Sequence, residues 1–317
     1  MATVRGLIGS TGFVGGNLLR QMTFKQHYNS RNIQEIQGCE FDLLVCAGAP
    51  ATMWAANRDP EGDAKNLKAL SEAIRSTRTR QLVLVSSVAV FDRMDAGYTE
   101  ETAAYETAKA YGRNRRQLET DLADAAENVC ILRLPALFGE GLKKNFIFDL
   151  MNPVPSFVAP AKREELAGKF TQEETALVDR YFTLDSALGM FRFDREAATR
   201  SGDLGALEAA YNRVGFVAAV FTSAESRYQF YNVARLGQDI DTCLSKGISC
   251  LNICSEPMSA WEIHKSLTGR GFSNEGPGIV QEDVRTVHAP AFGRTGPYLF
   301  RKDEVMKDLL AFAGESA

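Results

Sequence analysis

The chain has 317 residues, of which 45% are hydrophobic and 24% are charged, and its net charge is -4. This length accommodates one large α/β domain, or a nucleotide-binding domain with a smaller lobe. The slightly acidic balance argues against a general nucleic-acid binder or a binder of anionic membranes. With three histidines in the chain, and cysteines that lie mostly in apolar runs, we predict no metal site.

The first apolar run begins at Val4 and leaves no space for a charged leader with a long apolar region. The longest apolar stretch, around residues 217–221, is far too short to span a bilayer. We therefore expect a cytoplasmic protein with no membrane partner.

A glycine-rich turn follows the first apolar run and reads Gly9-Ser10-Thr11-Gly12-Phe13-Val14-Gly15. A helix through Leu18 and Met22 is predicted next. A glycine turn between a strand and a helix lets the backbone approach a diphosphate, and the helix N-terminus adds free N–H groups and a positive dipole. The spacing is G-x-x-G-x-x-G and not the G-x-G-x-x-G of many dehydrogenases. We predict that residues 9–15 bind a dinucleotide; the alternative is a turn that serves packing only.

A short second strand is predicted over residues 24–28, and Asn29-Ser30-Arg31 follows it. At this place an acidic side chain binds the adenosine ribose, whereas an arginine beside a hydroxyl favours a 2'-phosphate. We predict that Ser30 and Arg31 fill this role, which favours NADP over NAD. Glu35 lies about twenty residues beyond the glycines and is the alternative ribose ligand.

Two further buried strands are predicted over residues 41–46 and 81–85. The first ends at Ala47-Gly48-Ala49, and the second leads to Ser86 and Ser87. Between them, Pro60 opens a helix through residues 67, 70 and 74, and Asn57 precedes that helix. Ligands bind at the carboxyl edge of a parallel sheet, so Ala47, Gly48, Ala49 and Ser86 are predicted to line a cofactor crevice.

A helix is predicted over residues 102–126, and it carries two tyrosine–cation pairs at i, i+4 spacing. These are Tyr105 with Lys109 and Tyr111 with Arg115. The two tyrosines fall on different helix faces, so both pairs cannot belong to one site. A strand over residues 129–134 follows and ends at Pro135. The alternation of strands and helices predicts a parallel, doubly wound sheet.

These segments resemble the extended short-chain dehydrogenase/reductase family of the NAD-dependent epimerase/dehydratase type, whose members modify nucleotide sugars. The resemblance is carried by residues 9–15, 85–91, 111–115 with Glu119, 132–135 with 138–139, and 251–257. It implies a Rossmann-like α/β fold with a smaller, mostly C-terminal substrate lobe. Residues 1–140 and 226–255 are expected to form the NAD(P)-binding domain. Residues 141–225 and 256–317 are expected to form the substrate-binding lobe with a helical insertion.

The resemblance also implies roles for single residues. Ser87 matches the family's catalytic serine or threonine, Tyr111 matches the acid/base tyrosine, and Pro135 lies beside the cofactor. Arg115 stands where the family has a lysine, which holds the nicotinamide ribose and favours the ionised tyrosine. Because the planar arginine head places its charge and donors differently, we expect slower chemistry or none. Tyr105 and Lys109 keep the literal tyrosine–lysine spacing and are the alternative pair.

In the second half of the chain, Asn145 and Arg294 are the predicted substrate ligands, with a capping asparagine as the alternative for Asn145. Residues 163–211 have a helical pattern and are predicted to be an insertion of unassigned role. Strands are predicted over 216–221, 229–233 and 249–253, and helices from Ala234 and over 303–312.

The resemblance implies an NAD(P)-dependent epimerase or keto-reductase that acts on a nucleotide-linked sugar. Val88 and Ala89 follow Ser87 where related dehydratases have an Asp-Glu pair, and no cysteine lies near Ser87 to serve as an added base. A 4-epimerase or a simple reductase therefore remains. The alternative is a dinucleotide-binding sensor or scaffold without turnover, which Arg115 supports. A homodimer is expected from the resemblance alone.

Overall fold

The structure is a computed structural model that describes residues 4–274 and 276–315. In this part of the chain the strands are β1 (Arg5–Ile8), β2 (Gln26–Tyr28), β3 (Glu40–Cys46), β4 (Arg78–Ser87), β5 (Asn128–Leu134), β6 (Ala136–Phe138), β7 (Phe157–Val158), β8 (Phe182–Asp185), β9 (Met190–Phe193), β10 (Arg227–Tyr228), β11 (Phe230–Asn232), β12 (Cys250–Asn252) and β13 (Met258–Ser259). The helices are α1 (Phe13–Gln21), α2 (Met53–Arg58), α3 (Pro60–Arg75), α4 (Ala110–Asp121), α5 (Phe146–Met151), α6 (Pro160–Ala167), α7 (Gln172–Tyr181), α8 (Arg195–Arg200), α9 (Leu204–Arg213), α10 (Leu236–Lys246), α11 (Ala260–Thr268) and α12 (Lys302–Glu315).

A six-stranded sheet in the order β12-β5-β4-β3-β1-β2 forms the centre of the fold. Every neighbouring pair in it is parallel. Its inner strands are apolar on both faces, and Leu82, Val83 and Leu84 are fully buried. A parallel sheet needs such runs because its crossover helices cover both faces. The predicted doubly wound α/β fold is therefore confirmed.

The strand order reverses beside β1. The chain runs from β1 outward to β2 and then returns to the other side of β1 as β3. In open parallel sheets a ligand crevice forms outside the carboxyl ends of the strands at such a reversal. The carboxyl ends here are Ile8, followed by the glycine turn, and Cys46, followed by Ala47.

Local sequence explains the helix starts that position this edge. Asp59 caps α3, because its Oδ1 accepts a hydrogen bond from the Gly62 N–H at 3.0 Å, and Pro60 takes the first helical position. In contrast, Gly12 starts α1 without a side-chain cap. The predicted helices after the glycine turn and after Asp59 are thus both present.

The helix predicted over residues 102–126 is wrong at both ends, because α4 spans only Ala110–Asp121. Glu106 stops the helix from extending backwards: its carboxylate accepts hydrogen bonds from the Ala108 and Lys109 N–H groups at 2.8 and 3.0 Å. Its own N–H donates to the Val90 carbonyl at 2.8 Å. Tyr105 consequently lies in an extended segment that forms an isolated bridge with Phe91.

The described residues separate into two compact units. The first contains the residues up to Leu142, residues 227–259 and those from Gln281 onward, and it holds the six-stranded sheet. The predicted substrate lobe included residues 256–317, whereas the contacts assign 256–259 and the segment from Gln281 to the first unit. The assignment of the units to cofactor and substrate stays a prediction.

The second unit comprises residues 143–226 and 260–280. Its apolar core includes Val178, Phe182, Leu207 and Tyr211. The helical pattern predicted over residues 163–211 is only partly right, because β8 and β9 form an antiparallel hairpin inside it. The Asp185 carboxylate accepts from the N–H groups of Ala187 and Leu188, which closes the hairpin turn.

The strand predicted over residues 216–221 is wrong, since Ala218–Phe221 is a 3-10 turn. The other late elements are present as β11, α10, β12 and α12. Among the described residues, no helix has both the length and the apolarity that crossing a bilayer requires.

Candidate functional site

The glycine turn after β1 is fixed by close backbone contacts. Gly9 has φ +88°, and a Cβ on it would lie 2.3 Å from the Ala47 carbonyl oxygen. A Cβ on Gly15 would lie 2.1 Å from the Gly9 carbonyl oxygen. Only glycine fits at these two positions. A Cβ on Gly12 would lie 3.3 Å from the Gly9 oxygen, which is a milder restriction.

The same turn joins the carboxyl ends of three strands. The N–H groups of Gly9 and Ser10 donate to the Tyr28 carbonyl at the end of β2, at 2.8 and 3.2 Å. On the other side the Ala47 N–H donates to the Ile8 carbonyl at 2.9 Å. The turn is therefore held at the crevice edge, where α1 begins.

The N-terminus of α1 fits the diphosphate of a dinucleotide. Among the described residues, no side chain caps the N-terminus of α1, where Gly12 is the first residue before the helix. No acidic residue occupies the first turn of α1. The N–H groups of that turn therefore keep their capacity for an anion, and the helix dipole adds positive potential. Phe13, Val14 and Gly15, which we predicted from the sequence as cofactor ligands, supply this turn, and Thr11 is exposed beside it.

Ser30 and Arg31 lie in the exposed turn directly after β2. The Arg31 N–H donates to Asn29 Oδ1 at 2.9 Å, and its side chain is exposed. The turn adjoins Tyr28, whose carbonyl accepts from the glycine turn. The alternative ligand Glu35 lies one step later, in the 3-10 turn Ile33–Ile36. Ser30 and Arg31 stay the predicted ligands of a 2'-phosphate, with Glu35 as the alternative ribose ligand.

The loop after β3 lies against β1. A Cβ on Gly48 would lie 2.8 Å from Ile8 Cγ2, so a small residue is needed there. Ala47, Gly48 and Ala49 thus follow β3 at the carboxyl edge of the sheet, and their contact with a cofactor stays a prediction. Pro135 separates β5 from β6 and is half-buried.

Ser86 belongs to a buried polar network. Its hydroxyl donates to Glu119 Oε1 at 2.6 Å, and Arg133 binds both Glu119 oxygens at 3.0 and 2.7 Å. Arg116 adds a further ion pair to Glu119 at 3.0 Å. Glu119 is fully buried, and Arg133 is 2% exposed. The Ser86 hydroxyl is thus already bound to Glu119 in the core. Any contact of Ser86 with a cofactor would therefore have to come from its backbone.

Ser87 ends β4 and begins the 3-10 turn Val88–Val90. Its hydroxyl oxygen accepts a hydrogen bond from the Ala89 N–H at 3.2 Å, and the residue is half-buried. The hydroxyl keeps its hydrogen as a donor for another acceptor.

Tyr111 lies in the first turn of α4, and two contacts fix it. Its N–H donates to Asn57 Oδ1 at 2.9 Å, and the next residue, Gly112, would place a Cβ 2.0 Å from the Ala89 carbonyl oxygen. The helix therefore packs closely on the turn that Ser87 begins. Tyr111 is half-buried, and its hydroxyl has no hydrogen-bond partner among the residues described.

Arg115 is buried and is held by a carboxylate. Its Nη1 and Nη2 donate to the two oxygens of Asp63, at 2.5 and 3.0 Å, and Nη2 also donates to the Pro50 carbonyl at 2.5 Å. The side chains of Arg115 and Asp63 are 3% and 6% exposed. The guanidinium carbon lies 3.9 Å from the centroid of the Tyr111 ring. Most donors of Arg115 are therefore used within the protein, whereas the lysine that the family has at this place is expected to hold the nicotinamide ribose.

The alternative pair Tyr105 and Lys109 does not form a helical i, i+4 pair, because both residues precede α4. Tyr105 stacks on Phe91 with centroids 6.1 Å apart, and the Arg116 guanidinium lies 4.1 Å above its ring. Tyr105 thus packs in the apolar cluster around Phe91. Lys109 is exposed.

The two predicted substrate ligands already have structural contacts. Asn145, in the second unit, has φ +113°, and its Oδ1 accepts from the Ile147 and Phe148 N–H groups at 3.0 and 3.2 Å. In the first unit, Arg294 forms an ion pair with Glu304 at 3.0 Å. Asn145 is therefore a helix cap, which was the alternative we gave for it.

Asp63 and its neighbour Asn114 did not appear among the predicted site residues. The Asn114 amide donates to Asp63 Oδ2 at 2.9 Å and to the Pro60 carbonyl at 3.1 Å. A signal for Asp63 was present in the sequence. Asp63 lies four residues before Leu67 and therefore falls on the apolar face of the predicted helix. A buried acid at such a place requires a partner.

Comparison with known proteins adds three findings. The profile described as "NAD dependent epimerase/dehydratase family" matches residues 28–198. No curated protein matches the sequence significantly. Many solved structures match the chain, and those described below are similar over nearly its whole length.

Three of these structures illustrate the likeness. One is "MoeE5 in complex with UDP-glucuronic acid and NAD", with a TM-score of 0.61 and 14% identity, covering 99% of this chain and 100% of that one. The second is the UDP-N-acetylglucosamine 4-epimerase from Methanobrevibacter ruminantium M1, with a TM-score of 0.61, 10% identity and coverage of 98% and 97%. The third is the dTDP-4-dehydrorhamnose reductase from Bacillus anthracis str. Ames in complex with NADP, with a TM-score of 0.61, 11% identity and 99% coverage of both chains. At such identities the likeness shows the fold alone.

Proposed function

The chain belongs to the NAD dependent epimerase/dehydratase family, and on this premise we propose that it is an NAD(P)-dependent enzyme acting on a nucleotide-linked sugar as a 4-epimerase or a keto-reductase. One observation carries the proposal. The close approach of Gly112 to the Ala89 carbonyl packs α4 on the turn that Ser87 begins. A serine and a tyrosine hydroxyl with capacity to donate therefore belong to two elements in direct contact at the carboxyl edge of the sheet.

The structural neighbours support the same class of chemistry. They include an epimerase of a UDP-linked sugar, a reductase of a dTDP-linked keto sugar, and proteins with NAD or NADP bound. Fold alone does not assign an activity, so the residues of the site have to account for the reaction.

Each residue has a defined task in this proposal. The first turn of α1 binds the diphosphate, and Ser30 with Arg31 binds a 2'-phosphate, which favours NADP. Bound dinucleotide supplies hydride transfer to or from a sugar carbon. Ser87 donates a hydrogen bond to the reacting sugar oxygen, and Tyr111 exchanges a proton with it. Arg294 stays a predicted contact of the sugar nucleotide, whereas the Asn145 side chain caps α5.

The test separates cofactor binding from turnover. The protein is titrated with NADH and NADPH, and is then assayed for epimerisation of UDP-glucose and for NADPH-dependent reduction of dTDP-4-dehydrorhamnose. Tyr111→Phe should lower turnover by about 100-fold or more and leave the dinucleotide Kd unchanged, because it removes only the proton carrier.

Tyr105→Phe is the matched control for that experiment, since it removes the hydroxyl of the packed tyrosine nearby. It should keep turnover close to that of the unmodified protein. Equal losses in the two variants would contradict the assignment of Tyr111. Failure to bind either dinucleotide would overturn the whole proposal.

A second candidate function is a dinucleotide-binding sensor without turnover. The observation that favours it is the ion pair of Arg115 with Asp63, which occupies both terminal nitrogens of the cation at the position of the family's lysine. Tight dinucleotide binding together with no turnover, also in Arg115→Lys, would favour this candidate.

A further inference from the structure

The terminal N–H groups of Arg115 are all hydrogen-bonded inside the protein. Nη1 donates to Asp63 Oδ2 at 2.5 Å and to the Tyr111 carbonyl at 3.3 Å. Nη2 donates to Asp63 Oδ1 at 3.0 Å and to the Pro50 carbonyl at 2.5 Å. An arginine has one further donor, Nε, which here is buried without a partner among the described residues. The two terminal nitrogens are therefore occupied before any ligand arrives.

Burial also keeps Arg115 away from a ligand. Its side chain is 3% exposed, and that of Asp63 is 6% exposed. Asn114 holds the carboxylate in place, because its amide donates to Asp63 Oδ2 at 2.9 Å. If the arginine turned towards a ligand, it would leave a buried carboxylate without its counter-charge, which is strongly unfavourable. Arg115 therefore stays with Asp63.

The flat face of Arg115 lies against the ring of Tyr111. The guanidinium carbon is 3.9 Å from the ring centroid, which is the distance of a close cation–π contact. The two residues are four apart on α4, so their side chains lie on one side of the helix. Asn57 Oδ1 accepts from the Tyr111 N–H at 2.9 Å and fixes the backbone of the same residue. The ring thus rests on a guanidinium that is itself held at both ends.

Three segments of the chain build this support. Pro50 belongs to the loop after β3, Asp63 to α3 and Arg115 to α4. A lysine at position 115 would not fit the arrangement, because an ammonium group has no planar face and does not bind the two oxygens of a carboxylate in a fork. The arginine in place of the family's lysine therefore matches both Asp63 and the tyrosine ring.

We propose that Arg115 and Asp63 form a buried platform that positions the Tyr111 ring, and that Arg115 is not a ligand of the dinucleotide. This inference rests on the proposed function and deepens it. Arg115 is a positioning residue, and Asp63 acts through it. Dinucleotide affinity is then independent of the cation at position 115, whereas turnover depends on its planar head.

The first experiment measures dinucleotide binding without a cation at position 115. The double variant Asp63→Leu with Arg115→Met removes both charges together, and such apolar replacements of a buried ion pair often keep the fold. Fluorescence titration should give an NADPH Kd within about threefold of that of the unmodified protein. A direct ligand would instead lose about tenfold or more, as for a charge-assisted hydrogen bond.

Arg113→Met is the matched control for the binding experiment. Arg113 lies on the same helix, is exposed and donates to the Thr107 carbonyl, so its removal takes away a cation without touching the platform. It should leave the NADPH Kd and the Tyr111 ring unchanged.

The second experiment reports on the ring and needs neither cofactor nor substrate. Hydroxyl-radical oxidation of the full-length protein is followed at Tyr111 by mass spectrometry, since its rate rises with the exposure of the ring. Arg115→Lys keeps the charge pair with Asp63 but loses the planar head, so oxidation of Tyr111 should become about twofold faster or more. Tyr105, which stacks on Phe91, is the internal reference and should not change.

Turnover separates positioning from a merely structural role. Arg115→Lys should lower kcat by about tenfold, because a displaced reacting group is costly, and should leave KM and the NADPH Kd unchanged. A pair that served folding alone would reduce the fraction of folded chains and keep the kcat of those that bind NADPH. Faster turnover in Arg115→Lys would contradict the platform.

Two results of the substrate-free measurements would overturn the inference. One is an NADPH Kd that weakens tenfold or more in the neutral double variant while Arg113→Met binds normally. The other is an unchanged oxidation rate of Tyr111 in Arg115→Lys. An unmodified protein that binds neither NADH nor NADPH would remove the proposed function instead, and the oxidation experiment would still report on the ring.

Discussion

Gly9 and Gly15 lie so close to neighbouring carbonyl oxygens that the turn after β1 has one permitted shape. The contact distances of 2.3 and 2.1 Å for an added Cβ involve backbone atoms, which cannot move aside as a flexible side chain would. The turn therefore presents the N-terminus of α1 in a fixed position before any ligand arrives. A fixed anion site loses little conformational entropy on binding.

At this scale we predict the effect of two neighbouring alanine substitutions. Gly15→Ala should weaken NADPH binding by about tenfold or more, because one lost charge-assisted contact is worth about 1.5 kcal/mol.

Gly16→Ala is the matched control, since a Cβ there meets nothing within 4 Å. It should keep the Kd and add up to about 1 kcal/mol of stability through helix propensity. Fluorescence titration with NADPH and urea unfolding check both; equal Kd values for the two variants would contradict the prediction.

The sequence was informative about single residues where the chemistry is local. The glycine turn follows from motif and spacing, whereas the role of Tyr111 is implied by the family resemblance and stays a prediction. The partner of Arg115 does not, because i, i+4 spacing reports only contacts within one helix. Asp63 lies 52 residues away in the chain and meets Arg115 only when α3 and α4 pack together.

At the scale of elements, Glu119 joins three of them. It stands on α4, accepts from Ser86 of β4 and binds Arg133 of β5, with no exposed surface. A buried carboxylate with this number of partners fixes the rotation of α4 about its axis. That rotation decides which face of α4 lies towards the carboxyl edge of the sheet.

Glu119→Gln should destabilise the protein by about 3 to 5 kcal/mol, because it leaves the Arg133 cation buried without its counter-charge. Glu140→Gln provides the comparison, since the ion pair of Glu140 with Arg20 is more than half exposed at both side chains. It should change the free energy of unfolding by less than about 1 kcal/mol. Urea unfolding monitored by circular dichroism measures both values. Similar losses would argue against a special role of the buried network.

The buried strands and the capped helices could be predicted because continuous apolar runs and cap residues act locally. Two predictions failed where a side chain competes with the helix for backbone groups. Glu106 captures two N–H groups before α4, and Asp185 does the same between β8 and β9. The average composition of a long segment does not show where a single side chain binds backbone N–H groups and ends a helix.

At the scale of the whole molecule, stability should depend on the protonation of buried acids. Burial raises the pKa of the Glu282 carboxyl to about 7, although the Gln229 N–H, which donates to it at 2.8 Å, lowers it. The folded protein thus binds a proton that the unfolded chain releases at lower pH. The resulting stabilisation is complete below about pH 4.5 and is lost as the pH rises through about 7.

Glu282→Gln should therefore be more stable than the unmodified protein by about 2 kcal/mol near pH 8, and the difference should shrink near pH 5. Its amide oxygen can still accept from Gln229, so the gain isolates the charge. Glu61→Gln, at an exposed position, should show no such pH dependence. The free energy of unfolding in urea, measured at both pH values, tests this prediction. An equal gain in stability at both would show that the charge of Glu282 is not its cause.

The order in which the strands appear along the chain has a consequence for biosynthesis. β12 completes the sheet beside β5, yet it is encoded after the whole segment 143–226. On the ribosome, β5 stays an unpaired, apolar sheet edge until residues 250–252 have emerged and folded back. Such an edge can pair with other nascent chains during this interval. The second unit is thus translated while the first one is still incomplete, and conditions that slow elongation lengthen the exposure of that edge to aggregation.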